Sequence, residues 1–216
     1  MTLGELIQET RERLDDIAEP FLWSKEKLTQ YLNEAEREAA ERARLLYDQT
    51  SSLTTFNTVV GQNAYPLNPL ALGVHRVKVG DRVLQRAQRE DLDMISRRWE
   101  EMDGEPHRFF ELEDGRELTL YPRPVTVEPV QLALWRYPLE LMADEGDEPE
   151  IPERWHFDLT HWAVHLAFLK RDADTDDRTR AERAEARFTQ AFGIRRDANV
   201  QRKQRPRRAP CVTPSW

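Results

Sequence analysis

The chain has a single cysteine, Cys211, and 8 glycines spread singly among its 216 residues. A lone cysteine excludes an internal disulfide, which indicates a reducing compartment. Scattered glycines exclude a glycine-rich phosphate loop, so a nucleotide site is hard to build. No apolar run approaches the roughly 20 residues that a membrane-spanning helix needs, and the sequence starts with neither the basic nor the apolar region of a secretion signal. We therefore expect a soluble, intracellularly made protein.

Catalytic patterns are equally scarce. The most enzyme-like group is Asp158, His161 and His165, whose spacings of three and four residues place them on one face of a predicted helix. Trp162 stands where helical zinc proteases have glutamate, and three ligands from one short helix would strain tetrahedral geometry. We favour partly buried, hydrogen-bonded histidines over a metal site. The sequence therefore predicts no enzyme activity, no metal and no cofactor.

An acidic run, Asp172 to Asp177, is similar to the beginning of a calcium-binding loop. Such a loop requires glycine at its sixth position and glutamate at its twelfth, where this chain has Asp177 and Arg183. An acidic turn that caps the following helix explains these residues better, because carboxylates are favourable at a helix N-terminus.

Positive charge is scarce along most of the chain and concentrated at its end. Residues 1–193 contain 25 basic and 39 acidic side chains, a net charge of −14, whereas residues 194–216 contain seven basic and one acidic, a net charge of +6. This C-terminal segment has too little apolar side chain to fold alone, so we expect it to dock onto another molecule. Its basic residues are Arg195, Arg196, Arg202, Lys203, Arg205, Arg207 and Arg208, and it ends at Trp216.

Two kinds of partner fit the C-terminal segment. Seven cations can make a salt-sensitive footprint on nucleic acid, which is one possible function of this protein. However, the acidic body would repel a duplex, and the segment has neither interleaved aromatic residues nor a helix-turn-helix beside it. A protein with an acidic groove fits the charge equally well, and Trp216 would then supply an apolar anchor. We favour protein docking, with nucleic-acid binding as the alternative.

Helical patterns lie at both ends of the chain before this segment. Apolar residues at helical spacing predict helices over 2–18, 25–48, 152–171 and 177–192. The first begins with a capping-box pattern at Thr2 and Glu5, and Ser24 is a suitable N-cap for the second. Gly193 is a natural residue to follow the last helix.

Between these helices the apolar period changes to two. Segments of β-branched and aromatic residues predict strands over 54–60, 74–79, 108–112, 118–121 and 130–137, with a short amphipathic helix over 89–99. The Asp114-Gly115 pair predicts a hairpin between residues 109–112 and 118–120. We therefore predict an α+β fold in which four long helices, two N-terminal and two C-terminal, pack as a bundle with a β-rich insertion between them.

The predicted domain organisation follows the same pattern. Residues 1–50 and 151–193 would form the helical bundle domain, residues 51–150 the β-rich insertion domain, and residues 194–216 an extended basic docking tail.

The order of short motifs over residues 2–198 resembles the head–tail adaptor (connector) proteins of tailed bacteriophages, in particular those of short-tailed phages. Each motif is turn or packing chemistry with little specificity alone, and their order over nearly the whole chain is much more specific. The motifs are Leu3-Gly4-Glu5-Leu6, Arg13-Leu14-Asp15-Asp16, Trp23-Ser24, Leu32-Asn33-Glu34-Ala35, Val60-Gly61-Gln62-Asn63-Ala64-Tyr65-Pro66-Leu67, Gly104-Glu105-Pro106, Leu120-Tyr121-Pro122-Arg123-Pro124, Glu150-Ile151-Pro152 before His156, His161-Trp162-Ala163, Ala167 to Thr175, and Phe188 with Phe192-Gly193.

This resemblance implies a structural protein of the virion, assembled in the host cytoplasm and located at the head–tail junction, with no catalytic activity. It implies a homo-oligomeric ring, commonly of twelve copies, beneath the portal protein. Such a ring extends the DNA channel and offers a platform for tail or nozzle proteins. An acidic channel wall lets genomic DNA pass without specific binding. From the docking argument we predict that the seven basic residues of the C-terminal segment engage acidic portal surface, anchored by Trp216.

Overall fold

The computed structural model describes residues 1–112, 115–170 and 177–195. These residues form five α-helices: α1 (Leu3–Leu14), α2 (Lys25–Ala43), α3 (Arg89–Ile95), α4 (His156–Phe168) and α5 (Arg178–Phe192). The same residues form eleven β-strands: β1 (Tyr47–Asp48), β2 (Thr55–Asn57), β3 (Ala64–Pro66), β4 (Ala71–Val79), β5 (Arg82–Val83), β6 (Gln85–Arg86), β7 (Asp103–Gly104), β8 (Arg108–Glu111), β9 (Glu117–Tyr121), β10 (Arg123–Pro124) and β11 (Pro129–Arg136).

Local chemistry sets the ends of the first two helices. The Thr2 side chain accepts a hydrogen bond from the backbone of Glu5, whose carboxylate accepts one from the Thr2 N–H, so the predicted capping box is confirmed. At its other end α1 stops because Asp15 adopts a left-handed conformation, with φ 58°. Ser24 caps α2 by accepting from the Lys27 N–H, and Arg44 ends it at φ 50°.

The helices share one apolar core in which α4 is central. Helix α4 packs against α1, α2 and α5, and α1 also packs against α2. This explains why α4 buries residues on most of its circumference while the other three bury one face each. The fully buried side chains of this core include Leu3, Leu6, Leu28, Leu32, Ile151, Leu159 and Phe188.

The strands form three sheets. The largest has the order β1-β11-β4-β5, with β2 also paired to β11, and all its pairings are antiparallel. The second has the order β3-β9-β8-β6, in which β6 and β8 are parallel. The third is the short parallel pair of β7 and β10. The predicted hairpin is confirmed by the pairing of β8 with β9, in which Phe109 lies opposite Leu120.

Two smaller cores hold the sheets together. Residues from the first and second sheets bury a shared apolar cluster that includes Val77, Phe109 and Leu120. The two sheets are also joined by Glu111 of β8, whose carboxylate pairs with Arg86 and accepts from the Val74 N–H at 3.1 Å. A third cluster, Leu92, Trp99, Phe110 and Tyr121, packs α3 onto the second sheet.

The predicted fold class, four long helices in a bundle with a β-rich insertion, is wrong. The described residues form five helices and three sheets in a mixed α+β fold. The terminal helices are shorter than predicted, because Asp15 and Arg44 turn left-handed and residues 153–155 form a 3-10 turn before α4. Residues that the pattern assigned to the second helix instead form β1, which pairs with β11.

The division into a domain of residues 1–50 and 151–193, a domain of residues 51–150 and a tail of residues 194–216 stays a prediction. Across residues 1–112, 115–170 and 177–195, no helix combines the length and apolar content needed to cross a membrane.

Candidate functional site at the start of the C-terminal segment

One of the predicted docking residues, Arg195, lies in the described part of the chain. Its guanidinium is 3.8 Å from a carboxylate oxygen of Glu38 and 3.7 Å from one of Glu41, both on α2. The other predicted docking residues lie outside the described residues: Arg196, Arg202, Lys203, Arg205, Arg207, Arg208 and Trp216. Their role on a portal therefore stays a prediction, whereas the structure shows how the segment begins.

Helix α5 ends immediately before the C-terminal segment. Its last helical residue is Phe192, and Gly193 follows with φ 84°, a conformation that favours glycine. The Gly193 N–H donates to the Thr189 carbonyl at 2.8 Å, which closes the helix as the sequence predicted. The last turn of α5 contains no basic side chain of its own.

Arg42 of α2 supplies the missing positive charge. One of its terminal nitrogens donates to the Gly193 carbonyl at 3.2 Å and to the Thr189 hydroxyl at 3.1 Å. A guanidinium at the C-terminal end of a helix interacts favourably with the exposed carbonyls and the helix dipole. Helix α2 therefore caps α5 from outside.

The Arg42 side chain is buried, with 4% of its surface exposed, and its charge is paired. Its Nε donates to Glu38 at 2.8 Å, and its guanidinium stacks over the rings of Trp162 and Phe188, at 4.8 Å and 5.2 Å from their centres. Glu38, 9% exposed, thus contacts both Arg42 and Arg195. A buried arginine with a carboxylate partner and ring contacts is held in one orientation.

Glu41 connects this site to the end of the largest sheet. Its carboxylate accepts a hydrogen bond from the Tyr137 hydroxyl at 2.9 Å, immediately after β11. Burial, together with the neighbouring Glu41 carboxylate, raises the pKa of Tyr137 to about 12, so this hydroxyl stays a donor. The carboxylates of α2 therefore contact both the start of the C-terminal segment and the sheet.

A second charged group lies where β11 leads into α4. Arg136 donates to Asp48 at 2.7 Å and to Glu150 at 2.6 Å. The buried Glu36 of α2 accepts from the backbone N–H groups of Glu150 at 2.6 Å and Ile151 at 3.3 Å. Burial raises the pKa of Glu36 to about 7. Helix α2 thus fixes the residues that precede α4 as well as those that follow α5.

The histidines of the enzyme-like group have separate partners. His161 lies 3.0 Å from an Arg13 guanidinium nitrogen through Nδ1, whereas His165 Nδ1 lies 2.9 Å from the Ala181 carbonyl. Both are hydrogen bonded, as the sequence favoured. Burial, and to a smaller extent Arg13 and Arg187, lowers the pKa of His161 to about 4. The ring is therefore neutral at pH 7 and can accept a hydrogen bond from Arg13.

His161 lines an open cleft of about 360 Å³. The cleft is formed by Arg13, Phe157, Asp158, His161, Arg187, Gln190 and Ala191. Within the part of the chain that the structure describes, no group of three histidine, cysteine or acidic side chains is arranged to hold a metal ion. Most of the acidic run 172–177 lies outside the described residues, but Asp177 caps α5 by accepting from the Arg180 N–H at 3.0 Å, as predicted.

Sequence reasoning missed the site on α2. The alternation of acid, base and alanine between Glu34 and Arg44 predicts a face that is solvated or lies against a charged neighbour. In the structure Glu36 and Glu38 are buried on that helix, and the Arg42 side chain, which is also buried, pairs with Glu38. The four-residue spacing of Glu38 and Arg42 was the available indication of an ion pair, but it is typical of exposed helix surfaces too.

The described residues thus combine an α+β body with a first basic residue of the C-terminal segment, Arg195, that pairs with α2. The chain belongs to the SU10 adaptor protein family, whose model matches residues 1–210. This membership confirms the resemblance to phage head–tail adaptor proteins. The protein is therefore a phage adaptor and a virion component that interacts with other head and tail components, in a family of structural proteins not known as enzymes. Comparison with curated proteins gave no match.

Proposed function

We propose that this adaptor forms a ring of twelve copies beneath the portal protein, extends the DNA channel and carries the tail or nozzle proteins. The observation that supports this most directly is family membership over nearly the whole chain, together with the division of charge between body and C-terminal segment. A net charge of −14 over residues 1–193 suits a channel wall, because it repels phosphate and lets DNA slide.

In this proposal the C-terminal segment attaches each subunit to the portal. Its cations would pair with acidic portal surface, and Trp216 would fill an apolar pocket there, since tryptophan and arginine dominate many interfaces. The contacts of Arg42, Glu38 and Glu41 support the proposal, because they fix where the segment leaves the body.

Deletion of residues 194–216 tests the proposal. The helical core ends at Phe192, so the shortened protein should keep its fold and its thermal unfolding temperature. It should no longer bind purified portal rings, whereas the intact protein should form a ring on them. Electron microscopy of the portal with each protein measures both outcomes. A control in which Glu182 and Arg183 on the exposed side of α5 are replaced by glutamine should bind normally. Portal binding by the deletion protein would contradict the proposal.

A further inference from the structure

Arg195 differs from the other cations of the C-terminal segment because its charge is already engaged within the subunit. Its two partners, Glu38 and Glu41, lie one helical turn apart on α2 and face the end of α5. Arg195 itself is 62% exposed, so these contacts contribute little to the stability of the fold. These ion pairs instead bear on the position of the first residues of the segment.

The Glu38 carboxylate is already fixed before Arg195 reaches it. One oxygen of Glu38 accepts from Arg42, and the other faces Arg195. Arg42 in turn holds the Gly193 carbonyl, two residues before Arg195. The end of α5 and the first basic residue of the segment are therefore contacted by one connected group of side chains on α2.

Packing of the core does not require a charged side chain at position 42. An apolar side chain at this position would fill the same space between Trp162 and Phe188 without the cost of burying a charge. Arg42 directs its donors at the end of α5, where no basic residue of that helix is available. This geometry is explained if the direction of the chain after Gly193 has to be fixed.

We infer that α2 is a guide for the start of the C-terminal segment: Arg42 fixes the end of α5, Glu38 and Glu41 hold Arg195, and Arg195 sets the direction in which the chain leaves α5 instead of contacting the partner of the segment. Fixing the first residues of a docking segment reduces the conformational freedom that it loses on binding. In this inference the contact with the partner is made by the six basic residues that follow Arg195 in the sequence.

The position of the segment can be measured in the free, full-length protein. With Cys211, the only cysteine, replaced by serine, nitroxide labels at Gln30→Cys on the exposed face of α2 and Asn199→Cys in the segment report the distance between helix and segment by pulsed electron spin resonance. We expect a narrow distance distribution that becomes about twofold broader in Arg195→Ala, which removes both ion pairs, and broadens less in Glu41→Gln, which leaves the pair with Glu38. Glutamine keeps an acceptor for the Tyr137 hydroxyl.

Three further variants distinguish a guiding role of α2 from a general disturbance of the fold. Arg195→Lys, which keeps a positive charge opposite Glu38 and Glu41, should keep the narrow distribution. Arg183→Ala removes an exposed arginine of α5 and should leave the distance distribution unchanged. Arg42→Lys, which keeps the charge but loses the guanidinium fork, should broaden it while circular dichroism stays that of the folded protein. A distribution that is equally narrow, or equally broad, in the parent protein, Arg195→Ala and Glu41→Gln would overturn the inference.

A second measurement rests on the proposed function. If Arg195 acts through α2, Arg195→Ala should weaken binding to portal rings by about fivefold and Glu41→Gln by less, and the double variant should be no weaker than Arg195→Ala. If Arg195 contacts the portal directly, Glu41→Gln leaves the affinity unchanged, and the inference is overturned. If the parent protein does not bind portal at all, the proposed function fails, and the label distances alone decide the inference.

Discussion

His161 and Glu36 are both buried, and burial shifts their pKa values in opposite directions. His161 is neutral in the fold and accepts from Arg13, whereas Glu36 holds the backbone before α4. The unfolded chain returns each group to its ordinary pKa. Between about pH 4.5 and 6.5 the two groups therefore change the free energy of unfolding with opposite sign. Single variants are needed to reveal either effect.

At His161 the folded pKa of about 4 lies below the unfolded value of 6.5. The unfolded state thus binds more protons between these values, and stability is lost as the pH falls through them. His161→Gln keeps an acceptor for Arg13 but does not titrate. Relative to the parent protein, it should lose about 2 kcal/mol less stability between pH 7 and pH 5. Urea unfolding at the two pH values measures this difference, and an equal loss in the parent protein and in His161→Gln would contradict the expectation.

At Glu36 the folded pKa of about 7 lies above the unfolded value of 4.5. The folded state binds more protons between them, so stability falls as the pH rises from 4.5 to 7. Glu36→Gln keeps an oxygen for the Glu150 and Ile151 N–H groups and removes the buried charge. Its stability at pH 7 relative to pH 5 should improve on that of the parent by about 2 kcal/mol. The same urea series with Glu34→Gln, exposed on α2, is the control; equal pH profiles for both variants would refute the expectation.

At the scale of elements, the helices were largely predictable and their ends were not. Periodic apolar residues located α1, α2, α4 and α5, and the caps at Thr2 and Ser24 were readable because they depend on local side chains. The helix ends at Asp15 and Arg44 could not be predicted. A non-glycine residue rarely adopts the left-handed conformation, and whether it does so depends on tertiary contacts. The short strand β1 exists only through its pairing with β11, 86 or more residues away in the chain.

The charged site on α2 illustrates what the sequence cannot express. The distribution of charge along the sequence identified the basic segment, because net charge is a property of composition. It did not identify Arg42, because the same glutamate–arginine spacing occurs on exposed helices. Burial of Arg42 results from the tertiary contact with Trp162 and Phe188, which lie on two other helices.

Asp16 is the residue that ties the connection between α1 and α2 to the fold. Its buried carboxylate pairs with Arg11 at 2.5 Å and accepts from the Leu22 N–H at 2.8 Å and the Trp23 N–H at 3.3 Å. Asp16→Ala leaves Arg11 and two N–H groups without this partner, so we expect a loss of about 3 kcal/mol in the free energy of unfolding. Asp16→Asn, which keeps one acceptor, should lose less.

Denaturant unfolding at pH 7 measures the Asp16 variants. Glu12→Ala, an exposed acid on α1, is the matched control and should change stability by less than about 0.5 kcal/mol. If Asp16→Ala is as stable as Glu12→Ala, the connection between the helices does not depend on this carboxylate.

At the scale of the whole molecule, the protein combines an acidic body with a basic C-terminal segment that begins on the acidic side chains of α2. A body of net charge −14 lowers the local potential around the segment, so long duplexes approach it unfavourably. A protein partner can instead present one acidic groove of limited size to the segment. This difference separates the proposed adaptor function from nucleic-acid binding.

Salt dependence provides the decisive measurement. A protein that binds duplex DNA through six net positive charges should lose affinity with a log–log salt slope of about −5. We expect the intact protein to bind a short duplex too little for such a slope to be measured, even at about 50 mM salt, whereas the isolated peptide of residues 194–216 should bind it with steep salt dependence. Fluorescence anisotropy of a labelled duplex tests both. A variant with Arg202, Lys203, Arg205, Arg207 and Arg208 changed to glutamine is the control, and a steep slope for the intact protein that this variant abolishes would favour nucleic-acid binding over the adaptor proposal.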